Sequence, residues 1–216
     1  MAGVKDRVAL VTGGGRGIGR ATAGLLASRG ARVMVSARSE NELAATGLDY
    51  IAADLGSPEG CERAVAETEQ RLGPVDILVC NHGIGSAHER VVWEQAPALW
   101  NETIRVNLDG PFHLSRLVTG GMVRRGYGRL VYTSSPSVVF DGRDMEGGDE
   151  SLPYPPTYQT HYPRTKAMAE RRVRRAADGR LRTIALRPHL IWGPGDNHLV
   201  PRILARGRAG QLRRLG

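Results

Sequence analysis

Residues 7–11 form a short, β-branched apolar run that stops at a cluster of glycines, which predicts a strand. Residues 17–29 place small and apolar side chains three and four apart and halt at Gly30, which predicts a helix. The alternation continues along the chain. Strands are expected at 32–37, 49–53, 75–80, 129–133 and 181–186, and helices at 58–72, 98–125, 162–177 and 199–208. The helix at 58–72 is amphipathic and closed by Gly73-Pro74. The long helix at 98–125 is expected to be strained near Gly110-Pro111, because proline lacks the N–H that a helix interior needs. Strands separated by helices pair in parallel through right-handed crossovers. The expected fold class is therefore α/β: a doubly wound parallel sheet in a three-layer α/β/α sandwich. The least regular stretch, 136–158, is rich in Gly, Pro and acidic residues, and a loop of that length is often functional.

With 216 residues and 41% hydrophobic content, the chain can build one sizeable core, so one domain spanning 1–216 is expected. No apolar run reaches 18 residues, and the N-terminal stretch lacks the pattern of a secretion signal. Cys61 and Cys80 suggest no disulfide framework. A cytoplasmic protein without a membrane span is the expectation. The net charge of +8 is uneven: from Ser151 onward 14 basic residues face only Glu170, Asp178 and Asp196. No aromatic residues interleave with these arginines, so the cluster reads as a solvated face and no nucleic-acid partner is expected. Almost every basic residue is arginine; the only lysines are Lys5 and Lys166.

The glycine cluster Thr12-Gly13-Gly14-Gly15-Arg16-Gly17-Ile18-Gly19 joins the first strand to the first helix. In that setting residues without a Cβ let the backbone approach a pyrophosphate. The helix N-terminus adds unpaired N–H groups and partial positive charge. Gly13, Arg16, Gly17, Ile18 and Gly19 are the candidate phosphate-binding residues. The second strand ends in Val35-Ser36-Ala37-Arg38, without the carboxylate that would hold a ribose 2′-hydroxyl. Ser36 and Arg38, at that strand end, are candidate cofactor-binding residues, and Arg38 and Arg16 suit a 2′-phosphate, which favours NADP over NAD. Tyr162 and Lys166 stand four apart, on one face of a predicted helix. A lysine ammonium beside a phenol favours phenolate and makes the tyrosine a workable acid–base near neutral pH. Ser134 and Ser135, just past the fifth strand, offer a hydroxyl to orient a carbonyl; Tyr154 and Tyr158 have no lysine four positions later.

The cluster at 12–19 resembles the T-G-x-x-x-G-x-G fingerprint of the compact branch of the short-chain dehydrogenase/reductase family, whose members are Rossmann folds. The resemblance implies that Asp54 and Leu55 contact adenine. Asn81 and Gly83, in Cys80-Asn81-His82-Gly83, stand where the family has N-N-A-G, with two of the four positions departing from it. Asn107 matches an asparagine of the proton relay. By the same resemblance Ser135 is the active serine of its pair, Tyr162 exchanges the proton, and Lys166 also holds the nicotinamide ribose.

The later part resembles the extended branch, through 131–142, Tyr162-Pro163-Arg164-Thr165-Lys166 and 185–196. Its nearest likeness is to 3β-hydroxysteroid dehydrogenase-like proteins, the 2-alkyl-3-oxoalkanoate reductases among them. That likeness implies that the segment after the sixth strand, with Pro188 and Ile191, meets nicotinamide. Residues 1–133 and 134–216 thus read as two branches joined near the fifth strand, a natural or engineered hybrid. The implied activity is NADP(H)-dependent hydride transfer between nicotinamide and a carbonyl or secondary alcohol, on a small 3-oxo acyl or steroid-like substrate. The separate substrate lobe of the extended branch is expected to be absent. A dinucleotide-binding scaffold or sensor without turnover is therefore the alternative. The family resemblance also implies a homodimer or homotetramer built on the helices at 98–125 and 162–177.

Overall fold

The computed structural model describes residues 3–84, 96–143, 145, 147–177, 180–189, 191 and 199–211. Six strands, β1 (Val8–Thr12), β2 (Arg32–Ala37), β3 (Asp49–Ala52), β4 (Ile77–Cys80), β5 (Gly128–Thr133) and β6 (Leu181–Leu186), form one sheet in the order β3-β2-β1-β4-β5-β6. Every neighbouring pair is parallel. The central strands are apolar and buried along their whole length, since helices cover both faces. Leu10, Met34, Leu78 and Leu130 are fully buried, each worth roughly 1.5–3 kcal/mol relative to exposure.

The helices are α1 (Gly17–Ser28), α2 (Glu40–Ala44), α3 (Pro58–Leu72), α4 (Pro97–Ile104), α5 (Gly110–Arg124), α6 (His161–Arg175) and α7 (Leu199–Arg208). One core gathers Leu10, Met34, Cys61, Leu114, Leu130 and Val173, a second gathers Val11, Ala23, Val35, Leu43 and Val79, and a small third joins Val138 and Val139 to Ala167. In α3 the buried residues Cys61, Ala64, Val65 and Thr68 recur every three or four positions. Ser57 caps that helix by accepting from the Gly60 N–H at 3.0 Å, and Pro58 occupies its first turn.

Two departures from the sequence pattern matter. The helix expected at 98–125 is broken into α4 and α5 by a π-helical turn, Arg105–Asp109. Pro111 cannot donate to the carbonyl four residues back, so the ladder reorganises one turn earlier, around Asn107. The second departure is β6, where Ile184 and Leu186 are half exposed and only one face of the strand is covered. Among the described residues no helix is long and apolar enough to cross a membrane. The stretch 192–196, part of the extended-branch likeness, lies outside the described residues.

Candidate active site

The carboxyl ends of β1 and β4, neighbours in the sheet, open between them at the point where the strand order reverses. A cleft of about 1330 Å3 lies there. Gly13, Arg16, Gly17, Ile18, Arg38, Asp54, Leu55, Asn81, Gly83 and Ile191 all line it.

The turn between β1 and α1 requires its glycines. Gly13 sits at φ 63°, and its N–H donates to the Ser36 carbonyl at 2.7 Å. A Cβ on Gly19 would come 2.2 Å from the Gly13 carbonyl oxygen, so Gly19 lets α1 close onto the turn without itself lining the cleft. No side chain caps α1 at Arg16, which leaves its first N–H groups for an anion. Ser36 is not on the cleft wall: it is fully buried, and its hydroxyl donates to the Ile51 carbonyl at 2.9 Å.

Asn81 holds the floor together. Its Nδ2 donates to the carbonyls of Thr12 (3.1 Å) and Gly13 (3.3 Å), and its Oδ1 accepts from the Thr133 hydroxyl (3.3 Å). His82 places Nδ1 2.7 Å from Thr12 Oγ1. That hydroxyl donates to Val79, so it accepts from His82, which fixes the imidazole as the Nδ1–H tautomer. Burial and the Lys166 charge push His82 down to about 3, so it stays neutral.

At the far end of the cleft the side chains of Arg16 and Arg38 are mostly exposed, and each pairs loosely with a glutamate: Glu42 at 3.4 Å and Glu102 at 3.9 Å. Exposed pairs of this kind are worth about 0–1 kcal/mol, so either guanidinium can turn to a ligand. Asp54 accepts from Arg105 (2.6 Å) and from the Gly56 N–H (3.1 Å). Partial burial pulls its carboxyl up, but these donors outweigh it and hold the group below the usual range.

A smaller chamber of about 210 Å3 adjoins the cleft and shares Ile18, Asn81, Gly83, Ile84 and Ile191 with it. Thr133, Ser134, Ser135, Tyr162, Lys166 and Pro188 complete its wall. The glycine turn and the tyrosine–lysine helix therefore converge on one site. Lys166 is 3% exposed; its Nζ donates to the Thr133 carbonyl at 3.0 Å and lies 5.9 Å from the Tyr162 ring centre. Burial pushes this lysine down to about 8. Ser135 Oγ is 2.8 Å from Ser137 Oγ. Asn107 is fully buried and spends its side chain on Ile84, accepting from its N–H and donating to its carbonyl, both at 2.9 Å. A Cβ on Gly83 would meet Asn107 Oδ1 and Lys166 Nζ, both at 3.2 Å, so glycine is what lets these groups stand together.

Sequence reasoning missed Thr12 and Glu170. Thr12 acts through backbone partners that no pattern reveals. Glu170 had a signal, since it lies four residues beyond Lys166 on the face that carries Tyr162.

A family model described as short chain dehydrogenase matches residues 7–143. The 2-alkyl-3-oxoalkanoate reductase of Stenotrophomonas maltophilia is 39% identical over 210 residues, covering 96% of this chain and 58% of that protein. This chain spans about half the length of the curated relatives that it matches. Among solved structures, an alcohol dehydrogenase from Thermococcus sibiricus complexed with 5-hydroxy-NADP superposes with a TM-score of 0.69 at 29% identity, covering 84% of this chain and 75% of that one. A metagenomic short-chain oxidoreductase in complex with NADP gives 0.68 at 26% identity, covering 88% and 85%. With the family model covering more than half of its length and the same parallel sheet beneath it, the chain belongs to the short chain dehydrogenase family.

Proposed function

We propose that the chain is an NADP(H)-dependent oxidoreductase that interconverts a carbonyl and a secondary alcohol. The observation that carries the reading is the shared wall: the chamber of Ser135, Tyr162 and Lys166 opens into the cleft of the glycine turn. The cleft fits a dinucleotide, because Gly13 and Gly17 line it without side chains and α1 offers uncapped N–H groups. When bound, the nicotinamide supplies or accepts a hydride at the substrate carbon.

The residues of the chain do the rest. Tyr162 gives the proton to the carbonyl oxygen, or takes it from the alcohol. Lys166 favours the phenolate through its charge and holds the nicotinamide ribose. Ser135 steadies the substrate oxygen. Asn107, pressed against Gly83 beside Lys166, positions the proton relay. Arg16 and Arg38 take the 2′-phosphate, and Asp54 and Leu55 border the adenine. The relative from Stenotrophomonas maltophilia is named for a 3-oxo acid substrate, and we assign this chain a 3-oxo acyl substrate on that likeness.

Oxidation of NADPH in the presence of a panel of 3-oxo acyl esters and ketones tests the reading. Tight NADPH binding without turnover on any of them would replace it with the scaffold reading. The cofactor choice has its own test. Arg38→Asp is expected to weaken NADPH by about tenfold or more while NADH changes by less than about threefold, since a charge-assisted bond to phosphate is worth about 1.5–3 kcal/mol. Equal losses in titrations with both nucleotides would overturn the assignment.

A further inference from the structure

Glu170 is 1% exposed, yet it carries a full carboxylate. Four donors converge on it. Its Oε2 accepts from Ser134 Oγ at 2.5 Å and from Arg187 Nε at 3.4 Å. Its Oε1 accepts from Tyr154 OH at 2.9 Å and from Arg187 Nη2 at 2.7 Å. Burial raises this carboxyl, but Arg187, Ser134 and Tyr154 outweigh it, so the group stays ionised.

The donors come from three separate places. Ser134 follows β5, Tyr154 lies in the long loop, and Arg187 follows β6. Two of them reach the chamber wall: Ser134 lines it beside Ser135, and Arg187 precedes Pro188. On α6 itself, Tyr162, Lys166 and Glu170 succeed one another at four-residue steps. A buried ion pair is a poor device for stability, because a well-packed apolar pair often does as well. Its four directed bonds do something an apolar pair cannot, which is to fix distances between elements.

Building on the oxidoreductase reading, we propose that Glu170 is a positioning residue that sets the wall of Ser135 and Pro188 at its working distance from Tyr162 and Lys166. It touches neither substrate nor nucleotide. It acts through Ser134 and Arg187 on the nicotinamide side of the site, and leaves the adenosine side alone.

The test uses Glu170→Gln and the charge-free double variant Glu170→Met/Arg187→Met. The binding probes are NADPH and adenosine 2′,5′-bisphosphate, which lacks the nicotinamide half. Glu170→Gln is expected to bind NADPH about tenfold more weakly, with bisphosphate affinity within about threefold, and to lose about 100-fold in kcat at little cost in KM, the penalty of a misplaced reacting group. The double variant is expected to recover the thermal midpoint but neither NADPH affinity nor kcat. It also keeps the test alive should Glu170→Gln fail to fold. An unchanged ratio of NADPH to bisphosphate affinity in the variants, or recovery of NADPH affinity together with stability, would overturn the proposal. So would a parent protein that binds NADPH no tighter than the bisphosphate. A parent protein that reduces none of the carbonyls, while the affinity ratio falls in Glu170→Gln, overturns the oxidoreductase reading and supports the positioning role.

Discussion

Replacing Tyr162 by phenylalanine is expected to abolish carbonyl reduction while leaving the nucleotide in place. Tyr162 lines the small chamber and is its proton donor in the proposed mechanism; Phe keeps the ring but has no proton to give. Positioned acid–base groups contribute about 10²–10⁴-fold to rate, so a loss of at least about 10²-fold in kcat is expected. The cleft walls are untouched, and NADPH affinity should stay within about threefold because no bond to the dinucleotide is removed. Steady-state assays paired with fluorescence titration of NADPH read both quantities. Activity within about tenfold of the parent protein would remove Tyr162 from the chemistry.

Replacing Lys166 by methionine is expected to destroy activity and to strengthen the fold. Burial pushes the lysine from its ordinary value of 10.5 down to about 8 in the folded protein. Between those two values the unfolded chain binds the extra proton, so stability rises with pH across that window. Below about pH 8 the full burden of a buried ammonium is carried, on the order of 3 kcal/mol. Methionine keeps the length of the stem and removes the charge, while the Thr133 carbonyl loses its donor at a cost of about 1 kcal/mol. The net expectation is a gain of about 2 kcal/mol at pH 7, together with the loss of the pH dependence above pH 8. Thermal melts at pH 7 and pH 9.5 check both points. A variant that melts below the parent protein at pH 7, or keeps the upward slope, would contradict the argument.

These expectations rest on a frame that the chain announces well in some places and poorly in others. The strands and the longer helices follow from apolar runs punctuated by glycine and proline, because burial on both faces of a parallel sheet writes itself as unbroken Val, Leu and Ile. Helix α2 escaped because five residues are too few to show a period. The break at Arg105–Asp109 was foreshadowed by Pro111, but its π-helical form depends on packing that no local pattern carries. In the site, Tyr162, Lys166 and the glycine turn were legible because their chemistry demands rare residues at fixed spacing. Ser36 was misplaced by one pleat: in a strand alternate residues face opposite ways, and its hydroxyl serves the neighbouring strand. The acceptor for Lys166 is a backbone carbonyl, and Glu170 gathers partners from three distant segments, so neither arrangement exists before the chain folds.

The two banks of the cleft, Gly13 and Asn81, are 68 positions apart in the chain yet lie within one hydrogen bond of each other. A dinucleotide touching both would behave as a reversible clasp on that long loop, and its grip would vanish in the unfolded chain. Mass action then makes the melting temperature a gauge of occupancy, since stability gains about 2.7 kcal/mol at a hundredfold excess over Kd. Protease resistance in a cell extract would accordingly track the supply of cofactor, so the abundance of the protein would register the nucleotide pool it draws upon.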